Sequence, residues 1–202
     1  QALNAAVLGN MTAHVANLTT EQVQALTDGQ VSVLTSTQLQ DMNSGQLAAL
    51  STNQVALLSG DQVTGIESAD LVHMSTDQIQ AIKSSAIASL TTEQVNHLTT
   101  AQLSALTTDQ FSRLGTAQVV ALSTVQAPKI SSAQVSVLGT AQIAALETED
   151  LALFTGDAVA ALSVAQAKAL GTSQVQNMTT SQIRQLGTAQ IAGLATDRIQ
   201  AL

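Results

Sequence analysis

Apolar residues recur along this chain with a period of eight. Cutting the sequence at Thr19 and at every eighth residue thereafter gives 23 octads that end at Leu202 without an insertion or a deletion. When each octad is counted from place 1 to place 8, places 5 and 8 are apolar in all 23 copies. Place 4 is Gln in 18 copies, and place 1 is Ser, Thr, Asn or Gly in 19. This regularity is typical of a repeat protein rather than of a globular domain.

The repeat predicts a single solenoid over residues 1–202, with about 25 units. Asn4–Met11 forms one further octad, residues 12–18 form a seven-residue unit, and residues 19–202 hold the 23 regular octads. Residues 1–3 look like the last places of an octad that was cut. We therefore expect the array to continue in a longer parent chain.

The spacing of the two apolar places favours short α-helices. Residues three apart share one face of a helix, whereas on a strand they point to opposite faces. One continuous helix would rotate its apolar stripe by about 80° per octad, so the helix must end once in each octad. Ser or Thr at place 1 with Gln at place 4 predicts a capping box, flanked by a hydrophobic staple of places 8 and 5. A β-solenoid is the alternative, because Thr, Val and Ile suit strands.

The charged residues agree with helices that begin at the start of each octad. Thirteen of the 14 acidic residues lie at places 1 to 4, and four of the six basic residues lie at places 6 or 7. A helix dipole favours acids near its first turn and bases near its last. A strand offers no reason for this polarity.

The number of helices in one coil follows less directly from the sequence. Gly115, Gly139 and Gly187 are separated by multiples of three octads, and His73 and His97 are also three octads apart. We therefore predict an all-α solenoid with three helices per coil rather than two.

The composition limits the possible partners. With 14 acidic and six basic residues the net charge is −8, which argues against nucleic acid and anionic membranes, since both attract clustered Lys and Arg. The longest apolar run, Ala158–Leu162, is too short to cross a bilayer. The chain has no Cys, which excludes disulfides but leaves the compartment open.

Few residues suggest a chemical site, and we predict no catalytic, cofactor or metal-binding residue. His14, His73 and His97 have no second ligand at metal-binding spacing, so we expect solvent-facing side chains. Gly60-Asp61 and Gly156-Asp157 lack the Asp series of a calcium loop. The Gln at place 4 is interpreted as a capping residue. The Ser and Thr at places 1 and 2 could form a repeated hydroxyl face, and binding of ice or carbohydrate by that face stays an alternative.

Pro128 predicts a local defect in the octad Ser123–Ile130. It stands at place 6, the fifth helical residue, where a backbone amide should donate to an earlier carbonyl. Ala127 also replaces the usual Val or Ile at place 5.

The unit Leu-Thr-Thr-Glu-Gln-Val-x-Ala-Leu at Leu18–Leu26 resembles octapeptide tracts of very large bacterial cell-surface and secreted adhesin-like proteins. The resemblance covers essentially the whole chain. It implies an extracellular or cell-surface module that serves as a spacer, an adhesin or a filament-forming rod, through self-association or a cell-surface partner. The alternative is a ligand-binding solenoid, and an enzyme is not expected.

Overall fold

Each octad from Thr19 to Leu202 contains one short helix. The computed structural model describes residues 15–200 and residue 202, and within them are 22 α-helices, two 3₁₀ helices and no strand. The prediction of one helix per octad in an all-α solenoid is confirmed, and the β-solenoid is excluded for the part described. Residues 1–14, with the predicted octad Asn4–Met11, the start of the seven-residue unit and His14, lie outside the described residues.

The 3₁₀ helices are Val15–Asn17 and Ala127–Lys129, and the α-helices are Thr20–Gln24, Asp28–Ser32, Ser36–Gln40, Ser44–Ala49, Thr52–Val55, Gly60–Gly65, Ser68–Leu71, Thr76–Ala81, Ser84–Ile87, Thr92–His97, Thr100–Ala105, Thr108–Ser112, Thr116–Val120, Ser132–Ser136, Thr140–Ala145, Thr148–Ala152, Gly156–Ala160, Val164–Ala169, Thr172–Gln176, Thr180–Gln185, Thr188–Gly193 and Thr196–Ile199.

The predicted capping box begins most of these helices. In the helix Thr92–His97 the Thr91 hydroxyl accepts from the Gln94 amide at 3.0 Å, and the Gln94 Oε1 accepts from the Thr91 amide at 2.8 Å. Both halves of the box occur in 13 octads of the described part. Leu98 at place 8 and Thr99 at place 1 of the next octad have ψ near 130° and 157°, so two extended residues turn the chain between helices.

Three octads make one coil. Within each of the two compact units described below, helices pack against the helix three octads later in the chain: Ser36–Gln40 contacts Gly60–Gly65, and Val164–Ala169 contacts Thr188–Gly193. This confirms three helices per coil. Contacts divide the chain into two compact units, residues 1–106 and residues 107–202, and the same coil is built in each. That residues 1–202 form one continuous solenoid stays a prediction.

The core is made by places 5 and 8, as the pattern predicts. Phe111 and Val95 at place 5 are fully buried. The other place-5 side chains from Val23 to Val175 are at most about 1% exposed. Place 8 is buried from Leu26 to Leu194. Place 5 is less buried in the octads from Thr179 to Leu202, where Ile183 and Ile191 are half-buried and Ile199 is 41% exposed.

The octad with Pro128 departs from the α-helix, which confirms the predicted defect. Its residues form turns followed by the 3₁₀ helix Ala127–Lys129, because the proline nitrogen has no hydrogen to donate. The side chains of Gln126, Ala127 and Ile130 are nevertheless buried. The proline therefore changes the backbone hydrogen bonding of one octad and leaves its contribution to the core in place.

Close packing between coils depends on glycine at place 7 of two octads. A Cβ added to Gly65 would lie 2.3 Å from the carbonyl oxygen of Ser36, which is backbone in the preceding coil. Gly193 stands at the same place of its octad, and a Cβ there would meet the Val164 side chain of the coil before it. The missing side chain therefore allows the coils to approach here.

In the part of the chain that the structure describes, no helix is long and apolar enough to cross a membrane.

We predict that Leu114→Ala destabilises the protein by about 2–5 kcal/mol, because it removes a buried place-8 side chain that is 2% exposed. Val125→Ala is the control, since Val125 is 67% exposed. Urea denaturation followed by circular dichroism measures both variants. A loss below about 0.5 kcal/mol for Leu114→Ala would contradict the burial of place 8.

A second prediction compares two glycines in unit 1. Gly65→Ala should destabilise by about 1–3 kcal/mol, because its Cβ meets the Ser36 backbone. Gly29→Ala should stabilise by about 0.5–1 kcal/mol, because Gly29 is helical and nothing lies within 4 Å of the added Cβ. Equal effects of the two changes on the urea midpoint would show that the coils do not approach closely at Gly65.

Candidate functional site

The most regular polar feature is a row of buried glutamines at place 4. Gln94 is 2% exposed, and besides its capping-box bond its Nε2 donates to the carbonyl of Ile66 at 2.7 Å and to that of Val63 at 2.8 Å. These acceptors stand at places 8 and 5 of an octad in the preceding coil. One side chain thus joins the start of its own helix to the end of the helix four octads earlier, which directly precedes the equivalent helix of the preceding coil.

The same link recurs through both units. The place-8 carbonyls that accept a glutamine Nε2 from the following coil belong to Leu18, Leu26, Leu34, Leu50, Ile66, Met74, Leu114, Leu138, Leu146, Phe154 and Leu162. The last carbonyls of a helix have no partner within that helix. The glutamine row supplies their donor, and we call it the glutamine ladder.

The chemistry of the ladder requires an amide of this length. The Oε1 accepts from the amide of place 1 while the Nε2 donates to the preceding coil. A glutamate would keep the acceptor but would bring a carboxylate against buried carbonyls. Gly115, Gly139, Gly171 and Gly187 show that place 1 needs no side chain, since their amides still donate to the glutamine three residues later.

Five octads replace the place-4 glutamine, and none of the replacements keeps the whole arrangement. The replacements are Asp70, Ala86, Asp150, Ala158 and Arg198. Arg198 keeps the donor, because its guanidinium donates to the Lys168 carbonyl at 2.6 Å, but its Nε is buried without a partner. The two aspartates occur in the two octads that begin with glutamate, Glu67 and Glu147.

Asp150 is the most perturbed ionisable group of the described residues. Its side chain is 2% exposed, and burial, followed by the negative charges of Glu147 and Glu149, raises its pKa from 3.8 to about 6. The opposite shift occurs at Glu21, where the Thr19 hydroxyl lowers the pKa of an exposed carboxyl.

The other residues singled out by the sequence do not converge. His73 and His97 are exposed, as predicted, and the His97 Nδ1 contacts the Glu93 carbonyl of its own helix at 2.9 Å. Gly60 and Gly156 each begin a helix, so neither Gly-Asp pair lies in a calcium loop. The described residues contain no group of three His, Cys, Asp or Glu placed to hold a metal ion.

Two open surface grooves lie at equivalent places in the two units. One has a volume of about 400 Å³ and is bordered by Glu67 and Glu93, and the other has about 710 Å³ and is bordered by Glu147 and Glu149. Both lie where the first turns of helices in successive coils meet. Their walls carry Ser and Thr hydroxyls and carboxylates, without an aromatic platform.

The fold and its ladder define an α-solenoid repeat protein. Three stretches of the chain, residues 63–100, 97–124 and 143–180, match the ALTTAQ repeat family in tandem. No sequence among the curated proteins matches the chain significantly. The chain is therefore a repeat protein that is similar to the ALTTAQ repeat.

Sequence reasoning assigned the place-4 glutamine to capping, which is confirmed, and missed its bond to the preceding coil. The sequence does contain a signal for this bond, which is the use of Gln and never Glu at place 4. A capping box accepts Glu as well as Gln, yet none of the 23 octads has Glu at place 4. The absence of Glu indicates that the amide NH₂ is also used.

We predict that Gln94→Glu destabilises the protein by about 1–3 kcal/mol at neutral pH, because it removes the donor to the Ile66 and Val63 carbonyls and buries a charge. Gln22→Glu is the matched control: Gln22 is exposed, its bonds to described residues are those of the capping box, and glutamate suits a first helical turn. Equal urea midpoints for the two variants would show that the Nε2 bond contributes nothing.

Proposed function

We propose that this chain is a structural or adhesive repeat module of a bacterial surface or extracellular protein, acting as a spacer, an adhesion surface or an assembly rod. The surface location rests on the resemblance to adhesin-like octapeptide tracts. The mechanical part of the proposal rests on the way in which the repeat uses its residues.

The observation that carries the proposal is that the invariant places are used for folding. Places 5 and 8 form the core, and 16 of the 18 place-4 glutamines are buried. Places 3, 6 and 7 differ between octads and are largely exposed. A repeat whose constant residues only maintain the coil serves through the length and surface it provides, and additional coils extend both.

The proposal predicts that length changes in steps of one coil. Ser32 and Ser104 stand at the same place of the octad three coils apart in unit 1, both are exposed, and the chain has no Cys to interfere with labelling. Spin labels on Ser32→Cys and Ser104→Cys report their separation. Deleting residues 43–66 removes one of the three intervening coils, so the distance should fall by about one interhelical spacing of 8–10 Å.

The control deletion removes residues 43–58, which are two octads and not a whole coil. It brings non-equivalent octads into contact and should lower the melting temperature more than the deletion of a whole coil. If the whole-coil deletion left the label distance unchanged, or abolished folding while the two-octad deletion did not, the chain would not be a modular spacer.

A ligand-binding solenoid is the second candidate. All 19 Ser and Thr residues at place 2 are exposed or half-buried, so hydroxyls recur once per octad. Thr52, Thr76 and Thr100 occupy equivalent places on successive coils of unit 1. The test replaces these three threonines with Val and measures inhibition of ice growth and binding to a glycan array. A loss of either activity at an unchanged melting temperature would favour this candidate.

A further inference from the structure

Two glycines at place 2 leave room for a side chain of the following coil. A Cβ added to Gly60 would lie 2.2 Å from the hydroxyl oxygen of Ser89 and 2.9 Å from its Cβ, and one added to Gly156 would lie 3.0 Å from the Cγ of Gln185. Ser89 and Gln185 both stand at place 7 of the octad three later, which is 29 residues along the chain. In both units, place 2 of one coil therefore lies against place 7 of the next.

The same contact occurs with its two sides exchanged. Gly65 and Gly193 stand at place 7, and the residues 29 positions before them, Ser36 and Val164, stand at place 2. A Cβ on Gly65 would lie 2.3 Å from the Ser36 carbonyl oxygen, and one on Gly193 would lie 3.1 Å from the Cγ1 of Val164. In all four pairs one member carries a side chain and the other has no room for a Cβ at an ordinary contact distance. We call this contact the 2–7 pair.

The sequence shows the same complementarity in the 2–7 pairs of the regular octads. Of the 20 such pairs, eight have Ala at place 7, and seven of these eight have Thr at place 2. Among the other twelve pairs, Thr stands at place 2 in four. The branched side chain of Thr thus goes with the small side chain of Ala. The residue at place 7 therefore varies together with the residue 29 positions before it.

The positions of the glycines distinguish a coil of three octads from the alternatives. With two octads per coil, the place-7 residue opposite Ser36 would be Leu57, and that opposite Val164 would be Gln185. With four octads per coil, His73 would stand opposite Ser36. Of these three spacings, three octads alone puts a glycine against both Ser36 and Val164.

We propose that the 2–7 pair is the specificity-determining contact of the stack, which selects the octads that become neighbours in successive coils. The glutamine ladder and the apolar core use the same residue types in most octads, so they hold coils together without choosing between registers. The 2–7 pair differs from octad to octad and carries the information that the constant places lack. A change in one member should therefore be tolerated when its partner changes in the opposite direction.

A double-mutant cycle on the full chain tests this pairing in unit 1. Gly60→Ala should raise the unfolding equilibrium constant in urea by about ten- to a hundredfold, because its Cβ meets the Ser89 side chain. In the background of Ser89→Gly, which removes both atoms in the way, the same change should raise the constant by less than about twofold. If Gly60→Ala does not fold at all, the double variant should recover folding.

Gly65→Ala is the matched control, because its Cβ meets the backbone of Ser36, which a side-chain change does not remove. Its effect should be the same with and without Ser36→Gly. A second cycle, Gly156→Ala with Gln185→Ala, repeats the test in unit 2, where the shorter side chain removes the Cγ at 3.0 Å. The proposal is overturned if Gly60→Ala and Gly156→Ala destabilise the protein as much with the shortened partner as without it.

Discussion

The bond from a glutamine amide to a helix end one coil earlier is the constraint on which this structure depends. Helices of four to six residues cannot persist alone in water. Each helix here leaves carbonyls unpaired at its end, and the Nε2 of a later glutamine pairs them inside the stack. Because the same side chain also caps its own helix, helix initiation and coil stacking depend on one residue. An octad is therefore stable only in the company of octads in the neighbouring coil.

The glutamine link also gives the array a direction. Within the described residues, the bonds of the ladder run from a later coil to an earlier one, so the two faces of a coil differ: one presents amide donors and the other presents carbonyl acceptors. Of the replacements at place 4, Arg198 donates to a carbonyl of the preceding coil, whereas Ala has no side-chain donor or acceptor. The exposed places make no hydrogen bond that the coil depends on, and their residues differ between octads. The proposed function therefore rests on the surface and the number of the coils.

Local features of this fold were predictable from the sequence, and features that join coils were not. Caps, staples and the burial of places 5 and 8 are set within one octad and its neighbours, so a period of eight reveals them. The link from Gln94 to Ile66 and the approach of Gly65 to Ser36 each join different places of octads in successive coils, so the repeat period does not reveal them. The separation of three octads between His73 and His97 was enough to indicate three helices per coil. The burial of Asp150 could not be read from its octad, because it arises from the coils on either side.

The exchange rate of the glutamine side-chain amides tests the central claim most directly. In a spectrum that resolves these groups, the NH₂ protons of Gln54, Gln78 and Gln94 should exchange with solvent far more slowly than those of a free glutamine, since each Nε2 donates to a buried carbonyl. Gln22, which is exposed, should exchange at the free rate. If all four glutamines exchanged as free side chains while the backbone amides stayed protected, the coils would be held together by apolar packing alone, and the ladder would not be the interaction that builds this fold.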